Sequence, residues 1–181
     1  MGIEIEHKYL VDPYIIERNI KKRLGRFSES RSKRGDYFIT QGYLINSSTT
    51  VRVREVACKA RSKGYKYSLN KGYMTVKGET IGSTRVEHEM EIDYETARDI
   101  LNHSCKSVIR KIRYSVEHTD GHLWEVDFFS EDNKGLIIAE IELKSEDEPY
   151  ELPSWVGEDV TNDSRYYNSN LIITPYTKWV K

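Results

Sequence analysis

Gly2-Ile3-Glu4-Ile5-Glu6-His7-Lys8-Tyr9-Leu10-Val11 is the stretch from which the rest of the chain is read. Side chains alternate across a β-strand, so Glu4, Glu6 and Lys8 share one row, and Ile3, Ile5, His7 and Tyr9 take the other. A half-buried strand ordinarily turns mild polar residues toward water. Two carboxylates followed by an ammonium on one row suit a divalent cation bound to an anion.

The same alternation recurs outward from this strand. Residues 37–45 put Gln41 and Tyr43 on one face and Gly42 and Leu44 on the other. Residues 50–56 align Arg52 with Arg54, residues 74–78 align Thr75 with Lys77, and residues 84–93 align Arg85, Glu87, Glu89 and Glu91. Residues 107–117 contribute Lys111 and Arg113. Residues 123–128 set Glu125 and Asp127 against Trp124, Val126 and Phe128, and residues 136–144 set Glu140, Glu142 and Lys144 against Ala139, Ile141 and Leu143. With the first, this makes eight predicted strands.

Between them, Asp12-Pro13 predicts a helix start, with Asp as N-cap and Pro in the first turn. Ile15, Ile16, Ile20 and Leu24 form its apolar stripe and Gly25 its stop. Residues 27–35 read as a polar, basic loop. Residues 94–103 have helical spacing (Ala97, Ile100, Leu101), and a short helix is expected at 164–171. Residues 58–72, rich in Lys, Arg, Gly and Ser, read as a solvated hairpin tip. Their bases follow no fixed period, and the chain as a whole is not basic, so a nucleic-acid patch is disfavoured.

The chain has 181 residues, which predicts one domain over 1–181 with a substantial core. A net charge of −1 gives no overall field toward nucleic acid or membrane. No apolar run reaches the length of a membrane span and no signal-peptide pattern opens the chain, so a cytoplasmic protein is expected. Cys58 and Cys105 lack CxxC spacing and fit reduced thiols. The five histidines form no cluster, which argues against a His/Cys metal site.

Two architectures use the charged rows. Either they are the solvated side of an antiparallel sheet, or the sheet closes into a barrel with the charges inside and helices against its apolar outside. Glu and Arg are concentrated in doublets two apart, whereas Lys is concentrated in the loops, and this pattern is unusual for a solvated face. A closed interior of this kind suits a phosphate chain: Arg grips phosphate oxygens in bidentate fashion and Lys acts as a point charge. Carboxylates cannot contact phosphate directly. They need a hard cation between, which selects Mg²⁺ or Mn²⁺.

These residues resemble the CYTH family of triphosphate tunnel metalloenzymes. Glu4-Ile5-Glu6-His7-Lys8 stands as its E-x-E-x-K signature. Gln41-Gly42-Tyr43-Leu44, Arg52/Arg54, Thr75-Val76-Lys77, Arg85-x-Glu87-x-Glu89, Lys111-x-Arg113-Tyr114, Glu125-x-Asp127 and Glu140-x-Glu142 follow in family order. The tail is also similar at Trp155, Val160-Thr161 and Arg165-Tyr166. The resemblance implies an α+β fold: a closed eight-stranded antiparallel β-barrel, the triphosphate tunnel, with a polar charged interior and helices packed outside.

It further implies Glu4, Glu6, Glu140 and Glu142 as metal ligands for Mg²⁺ or Mn²⁺. Lys8, Arg52, Arg54, Lys77, Arg85, Lys111, Arg113 and Arg165 would hold phosphates. Glu87 and Glu89 would bind a second metal or orient water. Tyr43 is either a proton acceptor or a hydrogen-bonding wall residue, and Asp127 is expected to support a Lys or Arg, with metal contact as the alternative. Ser164 replaces a Lys common in similar tails, which leaves Arg165 as its substitute.

The activity implied is metal-dependent hydrolysis of inorganic tripolyphosphate, as in the short bacterial members. Alternatives are a class IV-type adenylate cyclase, an ATP or thiamine triphosphatase, and a non-catalytic polyphosphate- or nucleotide-binding module. No base-reading feature favours the cyclase, and the acidic rows exceed what binding alone would need. The expected partner is a small triphosphate-containing substrate, with no nucleic acid and no membrane; a homodimer is left open.

Overall fold

Alternating rows of apolar and charged residues yield strand after strand along the chain. The computed structural model describes residues 2–14, 36–47, 49–62, 65–79 and 84–179. Its strands are β1 (Gly2–Val11), β2 (Asp36–Asn46), β3 (Thr50–Ser62), β4 (Tyr65–Lys77), β5 (Thr84–Ile92), β6 (Val108–Glu117), β7 (Leu123–Phe129), β8 (Ile137–Leu143) and β9 (Val156–Asp159). Helix α1 (Tyr94–His103) lies between β5 and β6, and the short α2 (Asn168–Leu171) lies in the tail.

The strands form one antiparallel sheet in the order β5-β4-β3-β2-β6-β7-β8-β1-β9. β1, which carries the charged row, is paired on both edges. One edge meets β8 over residues 5–10, and the other meets β5 over residues 2–5 and then β9 at Tyr9 and Val11.

Two features differ from the sequence reading. The stretch 58–72 is mostly strand: β3 and β4 pair continuously from Thr50↔Lys77 to Ser62↔Tyr65. Backbone pairing between adjacent segments sustains these strands where no apolar period marks them. β9 is a ninth strand, too short and too polar for its alternation to register. At the start, Asp12 Oδ1 accepts a hydrogen bond from Tyr14 N at 2.7 Å, as an N-cap would. The remainder of that expected helix, with Ile15, Ile16, Ile20, Leu24 and Gly25, lies outside the described residues, as does the loop 27–35. No helix among the described residues is long and apolar enough to cross a membrane.

The apolar rows pack outward under cover. Trp124, Val126, Ala139 and Ile141 are fully shielded on the outer face of β7 and β8, with Tyr9 and Trp155 against them. Each large apolar side chain buried this way stabilises the fold by roughly 1.5–3 kcal/mol. Helix α1 is capped by Asp93, which accepts from Thr96 N at 3.0 Å, and sets Ala97 and Leu101 onto Val53 of β3.

Two glycines allow this close seating. A Cβ on Gly72 would lie 2.7 Å from Ala97 Cβ and 2.8 Å from the Asp93 carbonyl oxygen; one on Gly42 would lie 2.7 Å from Cys105 Sγ. A third cluster joins Ile109, Phe129, Ile138 and Leu136 to Leu171, with Leu10, Tyr176 and Trp179 packed on it. Ile109, Phe129, Ile138 and Leu10 continue, two residues on, the rows of Lys111, Asp127, Glu140 and Lys8. The charged rows therefore end in an apolar cap built with the tail.

Candidate active site: a charged cavity

The charged rows converge on a cavity of about 790 Å³. β1 presents Glu6 and Lys8 to it, β8 presents Glu140 and Glu142, β7 presents Glu125, and β6 presents Lys111 and Arg113. From the other half of the sheet come Tyr43 on β2, Arg52 and Arg54 on β3, Lys77 on β4, and Glu87 and Glu89 on β5. Register aligns the rows: Glu6 is opposite Glu142, Lys8 opposite Glu140, and Tyr43 opposite Arg52.

In the first half the ions form one buried network. Lys8 Nζ donates to Glu6 and, at 2.7 Å, to Glu140. Arg113 reaches Glu140 at 2.5 Å, Asp127 at 2.6 Å, and Glu125. Lys111 also closes on Asp127, which has no solvent contact at all. Burial opposes charge at Lys8, Lys111, Arg113, Asp127 and Glu140. At Lys8 the carboxylates Glu140 and Glu6 outweigh burial and raise its pKa above the ordinary lysine value. Glu140 is held well below the ordinary carboxylate range because Lys8, Arg113 and Lys111 outweigh its burial. Lys111 goes the other way: burial and then the neighbouring Arg113 lower it, against the pull of Asp127.

The second half is built around Glu89. Its Oε2 accepts from Arg54 at 2.8 Å, from Arg52 at 3.3 Å and from the Thr75 hydroxyl at 2.9 Å. Thr75 in turn accepts from Arg52 at 3.1 Å. Lys77 pairs with Glu87 at 2.8 Å, and Arg52 stands 3.6 Å from the same carboxylate. Arg54 is pushed down to about 10 by burial and by the adjacent Arg52 charge. Guanidinium groups crowded in this way are an attractive field for an incoming polyanion.

Most residues singled out from the sequence thus meet in one space. The side chains of Glu4 and Arg85 lie outside the described set, although register puts the two residues opposite each other on β1 and β5. Arg165 is not among the lining residues: its side chain is 67% exposed, pairs with Asp163 at 2.5 Å, and lies over the Tyr166 and Trp179 rings. Ser164 is not among them either; its carbonyl accepts from Asn170 Nδ2 at 2.7 Å.

Four tail residues line the cavity: Thr161, which stood in the tail resemblance without a site role, and the unforeseen Tyr167, Asn168 and Ser169. No local pattern marks them, because the docking of the tail puts them there. Thr75 and Gln41 were also missed, although both stand on rows already recognised.

Glu6, Glu140 and Glu142 offer only hard oxygen donors, on adjacent strands and at neighbouring register positions. That donor set fits a divalent cation of the Mg²⁺ type. Among the described residues no three acidic, His or Cys side chains are gathered into a coordination group. The Lys8 ammonium stands between Glu6 and Glu140, so it supplies the positive charge there.

The sequence pattern of the CYTH domain matches residues 2–172. The chain belongs to the CYTH domain family. This CYTH protein is 39% identical over 178 residues to an inorganic triphosphatase of Acetivibrio thermocellus, covering 97% of each chain. It is 33% identical over 138 residues to an inorganic triphosphatase of Nitrosomonas europaea, covering 75% of this chain and 84% of the relative. Its fold matches the crystal structure of an inorganic triphosphatase at a TM-score of 0.57 and 28% identity, over 96% of both chains.

Proposed function

We propose that this CYTH protein hydrolyses inorganic tripolyphosphate within the charged cavity, using Mg²⁺ or Mn²⁺ in a single cytoplasmic domain spanning 1–181. The observation that carries the reading is the assembly of six cations (Lys8, Arg52, Arg54, Lys77, Lys111 and Arg113) with paired carboxylates around one cavity. Similarity to two inorganic triphosphatases supports the same choice of substrate. We take the strands β1 to β8 to close as a barrel around this space, a reading supported by the pairing of β1 with both β8 and β5.

In this mechanism Arg52, Arg54 and Lys77 bind phosphate oxygens from one half of the sheet, with Arg85 beside them. Lys8, Lys111 and Arg113 do so from the other. Glu6, Glu140 and Glu142, with Glu4, would hold the divalent cation. When bound there, it supplies the charge neutralisation that lets carboxylates and phosphates share one site. Lys8 then turns from Glu6 and Glu140 toward phosphate. Glu87 and Glu89 orient the attacking water, while Thr75 keeps Glu89 and Arg52 in fixed relation. Tyr43 receives the water's proton, helped by the opposite Arg52, which favours the phenolate. Orientation and charge stabilisation do the rest, as phosphoryl transfer requires. Arg165 has a place in this scheme only if the tail rearranges on binding.

The test is phosphate release from tripolyphosphate, pyrophosphate, ATP and thiamine triphosphate, each with Mg²⁺, Mn²⁺ or chelator, following cyclic AMP in the ATP arm. Tripolyphosphate with metal should be the preferred substrate, and Glu142→Gln should abolish turnover while leaving the fold intact. Equal turnover with chelator, or full activity of Glu142→Gln, would remove the metal assignment. Cyclic AMP formation would move the protein to the cyclase reading.

A further inference from the structure

Gln41 has no exposed surface, yet only half of its amide is satisfied. Its Nε2 donates to the Tyr43 hydroxyl oxygen at 3.0 Å, whereas Oε1 is buried without a partner among the described residues. A buried primary amide with an unmet carbonyl is costly, and an apolar side chain would fill the same space without that cost. Position on β2 accounts for the contact: residues 41 and 43 share a face, and their partners on β3 are Arg54 and Arg52. The phenol is therefore flanked by an amide donor along its own strand and by guanidinium groups across from it. A donor aimed at the oxygen stabilises the ionised phenol over the neutral one.

We propose that Gln41 is a positioning residue for Tyr43: its amide N–H fixes the phenol oxygen as an acceptor and readies it to take a proton from the attacking water. This rests on the reading of the cavity as a tripolyphosphate hydrolase. In the step concerned, Tyr43 takes one proton from water as the water oxygen bonds to the terminal phosphorus. The bond from that phosphorus to the bridging oxygen breaks, its electron pair leaves with pyrophosphate, and phosphate is the second product. The proton then passes from Tyr43 to solvent.

The experiment has a spectroscopic and a kinetic arm. Near-ultraviolet titration of the protein minus that of Tyr43→Phe isolates one phenol among the 13 tyrosines. In Gln41→Met, an unbranched replacement of similar reach, the Tyr43 midpoint should rise. In Gln41→Glu, which keeps the shape but loses the donor, it should rise further. The acid limb of the kcat profile should move with it, lowering kcat at neutral pH by roughly tenfold for each unit at unchanged KM.

A Tyr43 midpoint that stays put or falls in both variants overturns the proposal, as does a loss confined to KM. A raised midpoint in a protein that releases no phosphate from tripolyphosphate overturns the hydrolase reading alone and upholds the pairing. Circular dichroism confirms folding, and the Glu variant carries the test if the Met variant fails to fold.

Discussion

Asp127 touches both Lys111 and Arg113 and has no contact with water. Sequence alternation put it on the charged row, the family resemblance suggested that it supports a Lys or Arg, and it pairs here with one of each. Replacing it by Ala would strand two buried cations, at a cost of about 3–5 kcal/mol, read as a lowered urea midpoint. Acid should act through the same network. Burial disfavours the Asp127 carboxylate, but Arg113 and Lys111 bring it below its ordinary 3.8. Glu140 likewise lies well below its ordinary 4.5. A depressed folded-state pKa gives stability that is complete above the unfolded value and lost as pH falls toward the folded one. Urea midpoints should therefore hold from neutrality down to those ordinary values and drop beneath them. A decline starting well above them would contradict the ion pairs.

Helix α1 approaches the sheet through two glycines, and its neighbours differ in how far they can yield. At Gly72 an added Cβ meets backbone carbonyls of Asp93 and Ile92 at 2.8 and 2.9 Å, whereas at Gly42 it meets the Cys105 side chain. Gly72→Ala should cost about 1–3 kcal/mol of overpacking and more than Gly42→Ala, as compared by thermal denaturation; the reverse order would contradict the packing described. Elements were legible in the sequence wherever one face is apolar and the other charged, as in β1, β7 and β8. Legibility failed from Ala57 onward in β3, where a continuous ladder with β4 holds the strand without an apolar rhythm. It failed also at Val156–Asp159, whose four residues contain one large apolar side chain. The cavity lining follows the same division. Paired rows announced the arginines and glutamates, whereas Asn168 and Ser169 reach the cavity only because Leu171 anchors the tail in an apolar cluster.

At the scale of the molecule, the acids and bases of the cavity pair with one another among the described residues. A chelator should therefore leave the melting temperature of the ligand-free protein unchanged, unlike small domains that fold around a metal. Tripolyphosphate with Mg²⁺ should raise the melting temperature by mass action, worth about 2.7 kcal/mol at a hundredfold excess over Kd. A large drop on chelation would mean that the cation is part of the fold. The cap of Ile109, Phe129, Ile138 and Leu171 has a consequence of another kind. If the strands close as proposed, a passage stoppered at that end cannot be threaded: a long phosphate polymer could only be taken by its tip, clipped there and withdrawn by the way it came. On that reading polymers would be shortened from their termini and not cut in mid-chain.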